Sequence, residues 1–187
     1  MTTTFSTRII REAAKGRKMV LDGGCGNGLQ ACYLAKRNPK NMVYGYDTSG
    51  EAIEMANKYK QKHGIDNVNF SVASHDMFQA PYEMDMIYTI GSLVSEDEVP
   101  SQDIRDAQDI FKRRLKKFNG MLMPGGIYVL AMITGYKAID TVIKKIAEEC
   151  RLPLFDIIQG ETLWYAQGYD DHYPQPIFRA GLIFERS

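Results

Sequence analysis

The feature that most constrains this chain is a cluster of glycines between a short apolar segment and a segment with helical character. Residues 20–28 read VLDGGCGNG. Glycine is favoured where a residue has positive φ or where the backbone lies close to a ligand. The N–H groups at the start of the following helix have no partner within that helix and face such a ligand. The cluster therefore predicts a strand, a binding turn and a helix, although a tight turn without a ligand has a similar composition.

Apolar segments of strand length alternate along the chain with segments of helical periodicity. The predicted strands are 18–21, 42–46, 68–72, 84–90, 127–133, a strand starting near Leu154, and 177–184. This alternation is typical of α/β proteins with a doubly wound, mostly parallel sheet and helices on both faces. The last two strands have no helix between them. They are predicted to pair antiparallel, as a C-terminal hairpin on one edge of a seven-stranded sheet.

Helix starts are predicted from residues spaced as capping boxes. Asn27 with Gln30, and Thr48 with Glu51, have the spacing in which two side chains satisfy the first N–H groups of a helix. Residues 1–17 are expected to contain one short helix before the first strand. These boundaries place both the glycine turn and Thr48 at the start of a helix.

Composition is that of an ordinary globular protein, and it limits the partners. The 187 residues are predicted to form one domain, 1–187, with 44% hydrophobic and 25% charged residues and a formal net charge of zero. A balanced charge argues against nucleic acid as an obligate partner.

No apolar run reaches the ~18 residues of a membrane span. Three cysteines without a CxxC pair indicate reduced thiols and a cytoplasmic location. The sequence has no cluster of metal-ligating residues, so no bound metal is predicted. A monomer or homodimer is expected.

Three aspartates, Asp22, Asp47 and Asp76, lie at or just after the ends of the first three predicted strands. Since parallel strands end at one edge of the sheet, their carboxylates are expected to converge on one crevice beside the glycine turn. Asp47 is placed to accept hydrogen bonds from both hydroxyls of a ribose, and Asp76 from an adenine amino group, with Met77 adding a backbone N–H. The structural alternatives are a helix cap for Asp47 and a turn residue for Asp76.

Two kinds of nucleoside fit a glycine turn of this type. Residues 26–31 also match GxGxxA, the dinucleotide fingerprint. A pyrophosphate requires positive potential at the turn, and Asp22 puts a carboxylate just before it. That carboxylate repels a diphosphate and suits a ligand with an amino group and a sulfonium.

The motifs taken together resemble those of the class I S-adenosylmethionine-dependent methyltransferases. The first motif of that family is matched by residues 20–28 and the ribose-binding motif by Tyr44–Asp47. Three later segments resemble further motifs of the family. They are His75–Asp76, Met84–Tyr88 and Leu122–Gly126, the last with methionine in place of the usual lysine. The resemblance covers about Lys18 to Ile133 and implies a Rossmann-like fold with S-adenosylmethionine as cofactor.

The resemblance also implies the cofactor contacts, residue by residue. The methionine part would be lined by Gly24, Cys25, Gly26, Asn27 and Gly28. Asp22 would hold the amino group directly or through water, Asp47 with Thr48 would take the ribose, and Asp76 with Met77 would take the adenine. The implied activity is methyl transfer to a small molecule. A non-catalytic S-adenosylmethionine-binding module and an NAD-dependent enzyme on the same fold stay open as alternatives.

The segment 160–176 is the candidate substrate-side loop, because the connection of the terminal hairpin is expected to lie over the cofactor edge of the sheet. Its candidate pocket residues are Trp164, Tyr165, His172 and Tyr173, with His172 as the candidate proton acceptor. An aromatic-rich strand followed by an ordinary loop is the alternative. A general base is needed only if the attacking atom arrives protonated, so the sequence fixes no catalytic residue.

Three further features narrow the interpretation. Residues 88–92 read YTIGS and lack the Asp/Asn-Pro-Pro-Tyr turn of methyltransferases that act on planar amino groups of bases or glutamine. The basic run 112–117 is interpreted as a solvated helix face. His75 is interpreted as a turn residue on the rim of the site, and as a rival base to His172.

Overall fold

The structure is a computed structural model that describes residues 5–94, 104–135, 142–163 and 177–186. The helices are α1 (Phe5–Ala13), α2 (Leu29–Arg37), α3 (Gly50–Lys62), α4 (Ile104–Met121) and α5 (Lys144–Glu149). The strands are β1 (Met19–Gly23), β2 (Met42–Asp47), β3 (Val68–Val72), β4 (Met84–Ile90), β5 (Leu122–Gly135), β6 (Leu154–Leu163) and β7 (Ile177–Glu185). Within the described ranges, no helix combines the length and apolar character that crossing a membrane requires.

The strands form one seven-stranded sheet in the order β3-β2-β1-β4-β5-β7-β6. Neighbours from β3 to β5 pair in parallel, and β7 runs antiparallel between β5 and β6. The predicted α/β, mostly parallel sheet with an antiparallel C-terminal hairpin is confirmed, and β6 is the outermost strand. The chain leaves β1 toward β2 and β3 and then returns to add β4 on the other side. This reversal opens a crevice at the carboxyl ends of β1 and β4.

Each face of the sheet carries its own core, because the side chains of a strand alternate between the two faces. One core combines Ile10 and Leu34 of α1 and α2 with Val20 of β1. The other combines Phe118 of α4 with Leu21 of β1. The predicted helices on both faces are therefore present, and both cores reach the strand that carries the glycine turn.

The predicted capping boxes are wrong. Gly28 is the N-cap of α2, in a left-handed conformation (φ 72°) and without a side-chain cap. Ser49 caps α3, with its Oγ accepting from the Ala52 N–H at 3.1 Å. Thr48 therefore lies one residue before the cap, where its side chain is not committed to the helix start.

The interpretation of the basic run as a solvated helix face is wrong for Arg114. Arg114 is 1% exposed, and its guanidinium donates to the Leu93 carbonyl oxygen. Arg113 and Lys117 are more exposed, but each donates to Asp76. The run thus links α4 to the loops that follow β3 and β4.

Candidate functional site

The glycine turn after β1 folds back against the end of β2. The N–H groups of Gly24 and Cys25 both donate to the Tyr46 carbonyl oxygen at 2.9 Å. Gly24 has φ 71°, and a Cβ on it would lie 2.6 Å from the Ser92 Cβ. Glycine is therefore required at this position for two reasons, its conformation and the close approach of the loop after β4.

Two further backbone donors of the turn are also bonded within the protein. The Gly26 N–H donates to Asp47 Oδ2 at 2.8 Å, and the Gly28 N–H donates to the Cys25 carbonyl oxygen at 3.0 Å. The expectation that the turn presents free N–H groups to a ligand is therefore wrong for Gly24, Cys25, Gly26 and Gly28. Asn27 is exposed at the tip of the turn.

Asp22 lies below the turn as a buried carboxylate that the described residues leave incompletely satisfied. It is 3% exposed, and its Oδ2 has no hydrogen-bond partner among the described residues. Burial raises the pKa of Asp22 to about 7; the nearby Tyr88 hydroxyl lowers it and the Asp47 charge raises it further. Among the described residues, the Tyr88 hydroxyl likewise lacks a hydrogen-bond partner.

The carboxylates of Asp22 and Asp47 give the turn a negative potential. Burial raises the pKa of the Cys25 thiol, and the charges of Asp22 and Asp47 raise it further. An anion at Cys25 is thus disfavoured by the same two charges that would attract a cation.

Asp47 lies at the end of β2 and borders a cavity of about 440 Å³. The described residues that line the cavity are Gly24, Tyr46, Asp47, Thr48, Ala73, His75, Gly91 and Ser92. Asp47 Oδ1 accepts from the Ser49 N–H at 3.0 Å, and Oδ2 accepts from Gly26. A carboxylate oxygen can accept two hydrogen bonds, so each oxygen retains one acceptor position. Asp47 is thus both a structural link and an available pair of acceptors.

His75 closes the floor of this cavity and bridges two loops. Its Nε2 lies 2.6 Å from the Ser92 carbonyl oxygen, and its Nδ1 lies 2.8 Å from the Tyr46 hydroxyl. Because a carbonyl only accepts, Nε2 carries the proton and Nδ1 accepts from Tyr46. The ring is 8% exposed. His75 is therefore a buried bridge rather than a rim residue, and neither nitrogen is available as a base.

The Asp76 carboxylate is turned toward α4. Its Oδ1 and Oδ2 accept from Arg113 Nε and Nη2 at 2.9 Å each, and Oδ2 also lies 3.2 Å from Arg114 Nη2. The Arg113 hydrogen bonds, together with the Arg114 charge, lower the pKa of Asp76 to about 2. The neighbouring Met77 is exposed, and its N–H donates to the Ser74 carbonyl oxygen at 3.1 Å within the turn. In the structure, both groups predicted to contact adenine are used to hold this loop.

The three carboxylates therefore do not converge as expected. Asp47 lines the cavity together with Gly24 and Thr48, Asp22 lies buried below the turn, and Asp76 faces α4. The predicted substrate-side residues Trp164, Tyr165, His172 and Tyr173 lie outside the described residues, as does most of the segment 160–176. Their roles stay predictions.

Four lining residues, Tyr46, Ala73, Gly91 and Ser92, were not among the site residues predicted from the sequence. Ser92 donates from Oγ to the Gly23 carbonyl oxygen at 2.9 Å, which draws the loop after β4 onto the glycine turn. Their signal was positional, since each lies in the last two residues of a parallel strand or just after its end. That signal does not distinguish a lining residue from any other residue of a loop.

Comparison with known proteins identifies the family. Residues 14–179 match the family model described as a methyltransferase domain. An uncharacterised protein of Synechococcus sp. is 36% identical over 80 residues, which is 42% of this chain and 19% of that protein. The 2-heptyl-1-hydroxyquinolin-4(1H)-one methyltransferase of Mycobacteroides abscessus is 39% identical over 67 residues, 36% of this chain and 29% of that protein. The aligned regions thus span less than a third of these curated relatives.

A solved structure of an S-adenosylmethionine-dependent methyltransferase from Clostridium acetobutylicum matches the fold with a TM-score of 0.68 at 12% identity. The match covers 97% of this chain and 90% of that one. At this identity the likeness shows the fold, and the family model shows the membership. The chain belongs to the methyltransferase-domain family and has the fold of the class I S-adenosylmethionine-dependent methyltransferases.

Proposed function

We propose that this chain transfers the methyl group of S-adenosylmethionine to a small-molecule acceptor. The observation that carries the proposal is the bonding of the glycine turn, whose Gly26 N–H donates to the Asp47 carboxylate. A diphosphate is bound by free N–H groups in a positive field. A turn in which the N–H groups of Gly24, Cys25, Gly26 and Gly28 are bonded internally, next to two carboxylates, favours a cationic nucleoside over a dinucleotide.

The residues present fit S-adenosylmethionine at three points. Asp47 retains one acceptor position on each oxygen for the two ribose hydroxyls. Asp22 Oδ2 is an acceptor without a partner in the described chain, suited to an amino group reached directly or through water. The close contact of Gly24 with Ser92 forms a wall of the cavity against which the cofactor would lie.

S-Adenosylmethionine, held by Asp47 and Asp22, would supply an activated methyl group. The acceptor atom would provide the electron pair of the new bond to carbon, while the carbon–sulfur bond breaks and its electron pair stays on sulfur. The chain's own contribution is to bind, orient and exclude water. Asp47 fixes one end of the cofactor at β2, and the loop held by Ser92 and His75 closes the cavity beside β4. A proton on the attacking atom leaves to a base, for which His172 stays the sequence-based candidate.

The relatives support only the general class of the proposed acceptor, which is a small molecule. The relative from Mycobacteroides abscessus is named for methyl transfer to a substituted quinolone, which is a small molecule. Cys25, Cys32 and Cys150 are all buried and free, which supports a cytoplasmic location for the proposed activity.

Thermal unfolding with added nucleosides tests the proposal. S-Adenosylmethionine and S-adenosylhomocysteine are expected to stabilise the protein by about 2.7 kcal/mol at a hundredfold excess over Kd, because they bind only the folded state. NAD is expected to give no shift. Stabilisation by NAD alone would reverse this ranking, and stabilisation by S-adenosylmethionine without release of S-adenosylhomocysteine across a metabolite panel would favour the non-catalytic module.

A matched pair of variants connects the result to the site. Asp47→Ala is expected to weaken S-adenosylhomocysteine binding by about tenfold or more through loss of the ribose acceptors. Asp66→Ala is the control. Asp66 is an exposed acid just before β3, at the amino ends of the parallel strands and away from the site at their carboxyl ends. Equal affinities for the two variants would remove Asp47 from the site.

A further inference from the structure

A second cavity adjoins the first at the carboxyl ends of β4 and β5. Its volume is about 540 Å³, and Gly91 lines both cavities. The described lining residues besides Gly91 are Ser6, Ile90, Leu93, Val94, Phe111, Leu130, Ala131 and Met132. We call this space the β4–β5 pocket. Its volume lies within the range of about 300–1,000 Å³ that accommodates a small organic ligand.

The wall of the β4–β5 pocket is apolar. Among the described lining residues, Ser6 of α1 has the one polar side chain and no residue is charged. A zwitterion or a phosphorylated compound would lose its hydration there without gaining a charged partner, which disfavours its binding. The wall therefore discriminates against charged acceptors.

The pocket is held in place by contacts that do not need a ligand. The Gly91 N–H donates to the Ala131 carbonyl oxygen at 3.0 Å. Arg114 donates to the Leu93 carbonyl oxygen, and Ser92 is bonded to Gly23 on the cofactor side. The same short loop thus forms walls of both cavities, so the pocket is preformed and fixed relative to the proposed methyl donor.

Apolar surface in the pocket is left uncovered by the described chain. Ile90 ends a strand in which five of the seven residues are buried, yet its side chain is 39% exposed. Covering such surface stabilises a complex, because it removes apolar area from water. An apolar ligand in the β4–β5 pocket would gain this stabilisation. It would also lie next to the adjoining cavity.

We infer that the methyl acceptor of this protein is a hydrophobic small molecule, whose apolar body lies in the β4–β5 pocket and whose attacking atom points past Gly91 to the cofactor. This inference rests on the proposed function and adds the substrate class. Among the described residues, Ile90, Val94 and Phe111 determine that class, because they supply apolar wall from three places: the end of β4, the loop after it, and α4.

Calorimetric titration with two probes tests the inference. The probes are 4-heptylphenol, which is neutral and hydrophobic, and sarcosine, which is a zwitterion. Each is titrated into the unliganded protein and into protein saturated with S-adenosylhomocysteine. 4-Heptylphenol is expected to bind about tenfold more tightly than sarcosine or better, with the negative heat-capacity change that marks apolar burial.

Matched variants locate the binding. Ile90→Asp is expected to weaken 4-heptylphenol binding about tenfold or more, because it puts a charge in the apolar wall. Ile90→Val should stay within about threefold of the parent, since it keeps the wall apolar. Both should keep the S-adenosylhomocysteine affinity within about threefold. Phe111→Ala provides a second weakening variant if Ile90→Asp does not fold.

The outcomes separate the two proposals. Binding of S-adenosylhomocysteine without binding of 4-heptylphenol would overturn the hydrophobic acceptor and leave the proposed function standing. Absence of S-adenosylhomocysteine binding would overturn the proposed function, while the unliganded titration still reports on the pocket. A dimer that Ile90→Asp dissociates in light scattering, together with no probe binding, would show that a second copy of the chain covers the pocket and would also overturn the inference.

Discussion

Asp22 and Asp76 are two aspartates at the same edge of one sheet, and their surroundings are opposite. Asp22 is 3% exposed, has an oxygen without a described partner, and burial raises its pKa to about 7. The Asp76 side chain is 36% exposed and pairs with Arg113 and Arg114, which lowers its pKa to about 2. A buried carboxylate with an unpaired oxygen destabilises the fold. Under the proposed function, the amino group of the cofactor would satisfy that oxygen. A paired carboxylate already stabilises the fold and needs no ligand.

The largest expected effect comes from removing the charge of Asp22. The pKa of Asp22 is higher in the folded state than its usual 3.8, so folded protein binds the proton more tightly between about pH 4 and pH 7. Stability therefore falls as pH rises through this window and stays low above pH 7. Asp22→Asn is expected to raise the free energy of unfolding by up to about 4 kcal/mol at pH 8 and to leave it unchanged near pH 4. Urea unfolding at the two pH values measures the difference.

An Asp22→Asn variant that is less stable than the parent at pH 8 would contradict this comparison, because it would mean that the ionised carboxylate is satisfied in the folded protein. Asp66→Asn is the matched control. Asp66 is exposed, so its variant should change the free energy of unfolding by less than about 0.5 kcal/mol at either pH.

The next largest effect is expected when Asp76 loses its buried partner. Arg114 is 1% exposed and joins Asp76 to the Leu93 carbonyl oxygen. Arg114→Met keeps the length of the side chain and removes both links, and is expected to lower the free energy of unfolding by about 3 kcal/mol. Arg113→Met, at a side chain that is 59% exposed, should cost less than about 1 kcal/mol. Equal losses in urea unfolding would show that burial does not distinguish the two arginines.

The smallest effect is expected from Asp76→Asn. The pKa of Asp76 is lower in the folded state than its usual 3.8, so its contribution to stability is present above about pH 4 and is lost as pH falls through about 2. At pH 7 the variant should lose no more than about 1 kcal/mol, because this ion pair is partly solvated.

Asp76→Asn also tests whether the Asp76 carboxylate contacts the cofactor. Since the Asp76 carboxylate faces α4, Asp76→Asn should keep the S-adenosylhomocysteine affinity within about threefold of the parent. A tenfold loss measured by calorimetry would instead restore the adenine contact that the sequence predicted for Asp76.

Periodicity predicted the elements well where local sequence decides them. β3 and β4 have the predicted limits of 68–72 and 84–90. β5 begins at Leu122 rather than Ile127, because Leu122 pairs with Met84 across a register shift. Such pairing depends on a partner strand that is distant in sequence, and apolar runs do not show it. The cap at Ser49 instead of Thr48 has a similar cause, since neighbouring hydroxyls compete and the path of the chain selects one.

The sequence by itself determined the α/β class, the hairpin of β6 and β7, and the glycine turn with an acid on either side, because these depend on periodicity and on what glycine alone permits. Tertiary structure decided how each acid is used. Arg113 and Arg114 lie on α4, far along the chain from Asp76, and their charges turn that carboxylate away from the crevice. The apolar β4–β5 pocket likewise takes its wall from α1, α4 and two strands. Burial and long-range charge depend on which segments meet in space, and the spacing of residues in one segment does not contain that information.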